Sequence, residues 1–149
     1  MNSSHLSPQD LAQACADSMY KVDNASQALG MKILSVAPGR AELSMTVRDD
    51  MLNGHGSCHG GFIFALADST FAFACNSRNI STVAQAVNID YVRPGMAGEL
   101  LTAVAVEKNL AGRTGLYDVT VSNEQGEDVA YFRGKSYRIR GTVLPEPEQ

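Results

Sequence analysis

MLNGHGSCHGGFIFALADSTFAFACNS, residues 51 to 77, changes character midway, and that change decides the fold. Its first part is rich in Gly, His and Asn and has neither strand nor helix periodicity, so it reads as a loop. From Phe62 to Cys75 it is apolar except for Asp68, Ser69 and Thr70. Alternation is absent and the run is too long for one buried strand, so the spacing predicts a helix. A helix apolar nearly all round is a buried helix. Its fourteen residues fall short of the roughly 20 that span a bilayer, so the burial is inside protein. One carboxylate, Asp68, enters this helix, with no Lys or Arg within a turn or two of it. An unpaired buried carboxylate is costly and shifts its pKa, so Asp68 needs a reason to be there.

His59-Gly60-Gly61 falls where the helix presents its first free backbone N–H groups, which attract negative charge. Glycine lets a substrate atom approach there without meeting a Cβ, and the turn then becomes an oxyanion site. The plainer alternative is a loop that needs glycine for its turn, with Asp68 hydrogen-bonded to a Ser or Thr. The pattern alone leaves both open.

Around this stretch the chain is that of one globular domain, residues 1–149, with 44% apolar and 19% charged residues, long enough for a real core and too short for two domains. A net charge of -4 and a pI near 5.3 argue against nucleic acid or an anionic membrane as main partner. The start has no basic-then-apolar signal pattern. Cys15, Cys58 and Cys75 are an odd set without zinc-type spacing, which fits reduced thiols in a cytoplasm.

Residues 1–30 form a helical segment. Ser7 caps a helix with Pro8 in its first turn, Leu11, Ala14, Cys15 and Met19 make its docking stripe, and Ala25 to Leu29 add a short turn stopped by Gly30. Strands follow at Met31–Ala37 and Arg40–Arg48, across a Pro38-Gly39 turn. After the central helix come Thr82–Arg93, Glu99–Asn109, Leu116–Ser122 and Asp128–Ile139, and residues 141–149 form a frayed tail. Short turns between the late strands imply antiparallel neighbours. One long apolar helix with about six strands makes an α+β domain in which a sheet wraps the helix.

Four motifs in this order, LNGHGSCHGG at 52–61, ALADSTFAFACNS at 65–77, NIDYVRPG at 88–95 and FRGKSYRI at 132–139, make the chain resemble the hotdog-fold thioesterases of phenylacetate degradation. The resemblance covers nearly the whole chain. It implies a curved antiparallel sheet around one central helix, and hydrolysis of acyl-coenzyme A thioesters such as phenylacetyl-CoA and its ring-hydroxylated forms, without a metal or a separate cofactor. It also implies Asp68 as the catalytic carboxylate and Gly60 as backbone donor to the thioester carbonyl, with Asn53 and His59 helping to hold that carbonyl or the attacking water. Where some relatives carry a Ser or Thr near the start of the next strand, this sequence has Ala84, with Ser81 and Thr82 nearby.

Gly60 and Asp68 lie eight residues apart, about 12 Å along one helix. A base and an oxyanion donor must each come within roughly 3 Å of the reacting group, and an Asp side chain cannot close that gap. If both act on one carbonyl, Asp68 of one subunit meets Gly60 of another: a homodimer with shared sites, paired again into a homotetramer. Asp68 then serves as general base on water or attacks the thioester itself. Arg93, Arg113, Lys135, Arg138 and Arg140, with Pro94, Gly95 and Thr114 beside them, are candidates for the coenzyme A end, since arginine suits phosphate. Gly61, Phe62, Leu66, Phe71, Ala84 and Tyr91 are candidates for the acyl pocket.

Rival readings use the same residues. His55, Cys58 and His59 could hold zinc, but they form one short cluster with no distant partner pair. Cys58 as nucleophile with His59 as base suffers because immediate neighbours on an extended segment point to opposite sides. A hydratase or dehydratase would use His59 as base. A non-catalytic acyl-CoA sensor would need an output element, and no helix-turn-helix pattern or basic extension is present.

Overall fold

The computed structural model describes residues 5–146. The elements run α1 (Pro8–Val22), α2 (Asn24–Ala28), β1 (Lys32–Ala37), β2 (Arg40–Thr46), α3 (Gly60–Cys75), β3 (Thr82–Tyr91), β4 (Leu100–Ala111), β5 (Thr114–Ser122) and β6 (Asp128–Arg138), with a 3-10 turn at Asp49–Met51. The strands form one antiparallel sheet in the order β1-β2-β4-β5-β6-β3. The predicted α+β architecture and the predicted helix are both present, with strand ends shifted by a residue or two.

Helix α3 touches all six strands, so the sheet does wrap it. Leu43, Met45, Leu101, Ala103, Val119, Val121 and Phe132 supply the sheet side of the core, and Ile63, Leu66, Ala67, Phe71, Phe73 and Ala74 the helix side. Small residues on the sheet make room for large ones on the helix. A Cβ on Gly134 would sit 2.8 Å from the Phe71 ring, which packs edge-on against Tyr117 and tilted against Phe132.

One expectation needs correcting: α3 is not buried all round. Phe64, Ala65, Asp68, Ala72 and Cys75, at helical spacing, stay half-buried. The sheet leaves this flank partly uncovered. The edge strand β3 is exposed along most of its length.

β3 is nevertheless fastened to α3 at both ends. At one end Asn76, just past the helix, accepts from the Thr82 N–H at 2.9 Å and donates to the Thr82 carbonyl at 3.0 Å. At the other, the Tyr91 hydroxyl donates to the Gly60 carbonyl at 2.8 Å. The two edges of the sheet differ. On β1 the Gln9 amide of α1 donates to the Val36 carbonyl at 2.7 Å, Lys32 stands exposed, and a bulge interrupts the register between Ile33 and Ser35. These are devices that protect an edge. β3 has a bulge as well, between Ala84 and Ala86, but past Thr82, which Asn76 holds, no side chain of another element covers its backbone among the described residues.

The predicted frayed tail also needs correcting over its first part. Gly141 accepts from the Ser81 N–H at 3.1 Å and the Leu144 N–H donates to Asn79 at 2.8 Å, so the chain is tied down as far as Leu144. Asn79 takes a left-handed φ of 63°, which asparagine tolerates better than most residues. Residues 1–4 and 147–149, the two ends of the predicted helical segment and tail, lie outside the described residues.

Candidate active site

The loop before α3 is organised by Asn53. Its Oδ1 accepts from the N–H groups of His55 (2.9 Å) and Ser57 (3.2 Å), and its Nδ2 donates to Ser57 Oγ at 3.2 Å. Asn53 is thus spent on its own turn rather than extended toward a ligand. The loop is then pinned by His59 N–H to the Met51 carbonyl and Cys58 N–H to the Gly95 carbonyl, both at 2.7 Å.

His59 is the N-cap of α3, and its Nδ1 accepts from the Gly61 N–H at 3.0 Å. The neutral ring with Nδ1 accepting carries its proton on Nε2, so it offers a donor rather than a base. Gly61 permits this cap, because a Cβ there would stand 3.1 Å from Nδ1. With the Gly61 N–H capped, the Gly60 N–H is the one in this turn that makes no hydrogen bond among the described residues. A Cβ on Gly60 would lie 3.1 Å from Tyr91 Cζ. The glycine therefore accommodates a neighbouring side chain, a reason that the sequence pattern did not supply.

Asp68 is half-buried and forms no hydrogen bond or ion pair with any described residue. Burial pushes its carboxyl pKa above the usual carboxylate range. Its neighbour Ser69 looks elsewhere, 2.8 Å from the Ser26 hydroxyl of α2. The alternative of an Asp68 satisfied by Ser or Thr is therefore not what the structure holds.

An open cleft of about 440 Å³ lies at the start of α3, lined by Cys58, Gly60, Ile63, Tyr91, Val92, Arg93 and Pro94. Asp68 does not line it. A larger groove, of about 810 Å³, runs between α1 and β1 past Tyr20 and Lys32. It contains neither Asp68 nor the free turn of α3, whereas the smaller cleft holds Gly60.

The other predicted contacts scatter. Phe62 is half-buried beside His59. Phe71 is sealed in the core with 1% exposure, as is Leu66, so neither faces a pocket in the subunit. Ala84 is exposed on β3 opposite Ser136. Arg93 stands at the cleft, 3.1 Å from Glu127, and Gly95 lends its carbonyl to Cys58. Arg113 and Arg138 come together, the Arg138 N–H donating to the Arg113 carbonyl at 2.7 Å, with Thr114 alongside. Arg138 pairs with Thr82 at the far end of β3, whereas Ala130 pairs with Tyr91. Nine strand residues separate these ends, about 30 Å. Lys135 sits between, opposite Ala86. The basic set is therefore split, as Gly60 and Asp68 are.

Ile63 and Val92 in the cleft, and the Asn76 clasp, were not found from sequence. An Asn directly after an apolar helix was their only available signal. The Cys58 thiol is buried and its pKa is raised by that burial, which makes it inert rather than nucleophilic. No group of three or more His, Cys, Asp or Glu among the described residues could hold a metal ion.

A half-buried, unpartnered acid on α3, a free glycine N–H at the start of that helix and a sheet wrapped on it are the features of a hotdog-fold hydrolase. The chain belongs to the thioesterase superfamily, which it matches over residues 55–130, and it is a thioester hydrolase. It is 50% identical over 131 residues to the acyl-coenzyme A thioesterase PaaI of Escherichia coli K12, covering 88% of this chain and 94% of that one. The solved structure of the E. coli PaaI protein from the phenylacetic acid degradation operon superposes with a TM-score of 0.90 at 49% identity, covering 91% of this chain and 99% of that one. A Streptococcus mutans protein solved bound to acetyl CoA matches with a TM-score of 0.72 at 27% identity, covering 75% and 90%. No helix among the described residues is long and apolar enough to cross a membrane.

Proposed function

We propose that this protein hydrolyses phenylacetyl-CoA and its ring-hydroxylated forms to the free acid and coenzyme A, in the cytoplasm, as part of aromatic degradation. The observation that carries this reading is the separation, about 12 Å along α3, of an unpaired carboxylate at Asp68 from an unpaired N–H at Gly60. The similarity to PaaI over nearly the whole of both chains supports the aryl substrate.

The site is completed by a second copy. β3 offers an open edge, and Ala84, Val87 and Ile89 turn toward the helix side of the sheet, opposite Ser136, Gly134 and Phe132. Val87 is 39% exposed there. Antiparallel pairing of β3 with the β3 of a second copy covers these residues and the bare flank of α3. It also sets the Arg113–Arg138 end of one subunit beside the Gly60 cleft of the other. Each of the two equivalent sites then takes Gly60, His59 and Arg93 from one subunit, and Asp68 with the distant arginines from its mate. Two such pairs assemble into a tetramer.

In this site the thioester carbonyl accepts from the Gly60 N–H and the His59 Nε2–H. Water, deprotonated by Asp68, adds to the carbonyl carbon. The oxyanion is held by the two donors, and its collapse expels the coenzyme A thiolate. Direct attack by Asp68, through an anhydride, uses the same geometry. A hydratase would need His59 as base, and the Nδ1 of that ring is already committed to Gly61.

A thiol-release screen across aryl, short and long acyl-CoA esters tests the proposal. Preference for phenylacetyl esters is expected. Absence of thiol release would reject the hydrolase reading of this site, and preference for long chains would reject the substrate.

A further inference from the structure

Tyr91 closes β3, and although it is 50% exposed its hydroxyl turns inward to the first residue of α3, donating to the Gly60 carbonyl at 2.8 Å. Its ring lies flush on the same residue, with Cζ and the hydroxyl 3.1 and 3.2 Å from where a Cβ would be. One side chain thus touches Gly60 on two sides and leaves its N–H free. The need for such a hold follows from the sequence. Gly60 and Gly61 are consecutive glycines at a helix start, the residue type with the most backbone freedom to lose. An oxyanion donor contributes to rate only if its direction is fixed before charge develops.

We infer that Tyr91 is the positioning residue of the oxyanion turn, clamping the Gly60 peptide so that its N–H faces the thioester carbonyl. This rests on the proposed role of Gly60. Tyr91 acts through Gly60 and takes no part in proton transfer. The clamp also ties the donor to β3, so the strand that meets the second copy is the strand that aligns the catalytic turn.

The test is Tyr91→Phe, which removes the hydroxyl and keeps the ring. With phenylacetyl-CoA, kcat should fall about tenfold while KM stays within about twofold, with melting temperature and assembly mass unchanged. An unchanged kcat overturns the inference. So does a raised KM at constant kcat, which would make Tyr91 a substrate contact, or a loss of activity that only tracks a fall in melting temperature. Wild type and Asp68→Asn are measured alongside. Wild-type turnover that is lost in Asp68→Asn but kept in Tyr91→Phe sinks the clamp alone. A wild type without thiol release sinks the hydrolytic reading, and the clamp with it.

Discussion

Asp68 holds a charge that nothing described in its own subunit balances, and burial raises its pKa above the ordinary 3.8. The sign of the linkage follows. Between the unfolded and folded pKa values the native state binds more protons than the unfolded chain, so stability falls as pH rises through that window. Above it, the ionised carboxylate is a standing cost. Asp68→Asn should therefore melt higher than wild type at neutral pH, and the gain should vanish on acidification below the unfolded value. The same variant should lose about a hundredfold or more in thiol release. In wild type, the acid limb of the kcat/KM profile should lie above 3.8. A calorimetric pH series and a pH–rate profile check all three. Asp68 was legible in the sequence because its surroundings were so uniformly apolar. Tyr91 over Gly60 was not, since 31 residues separate hydroxyl and carbonyl and no local pattern announces the contact.

At the scale of elements, α3 and β3 form a frame closed at one end by Asn76 and at the other by Tyr91. Asn76 is 6% exposed, and its amide satisfies both backbone groups of Thr82. Asn76→Ala leaves those groups without their partner, at a cost of roughly 2–3 kcal/mol. A urea midpoint shifted down with an unchanged slope would show it. The helix and the late strands were readable because each carries its own period, 3.6 or 2. That β3 lies beside β6, rather than beside β4 which follows it, was not readable. Strand order is set by pairings far apart in the chain, here Thr82 with Arg138 and Tyr91 with Ala130. The half-covered flank of α3 was hidden for a related reason. An apolar residue reads the same whether its cover comes from its own sheet or from another copy.

For the whole molecule, the split site makes a prediction that no single-subunit enzyme shares. Gly60→Pro removes the N–H at the first helical position, where the proline backbone is tolerated though the exposed Tyr91 ring, 3.1 Å from a Cβ there, must shift. Asp68→Asn removes the acid. Each variant alone should be nearly inactive. Unfolded together in equal amounts and refolded, they should recover roughly a quarter of wild-type activity, because half of the pairs then hold one intact site. No recovery despite mixed assembly would place both groups on one subunit's chemistry. The unequal edges of the sheet carry a last consequence. Gln9 and Lys32 guard one border, so in the proposed pairing sideways addition of copies would stop at two. Gln9→Ala with Lys32→Val would leave two sticky borders, and concentrated samples should then scatter light as ribbons of indefinite length, the hazard that α1 and Lys32 guard against.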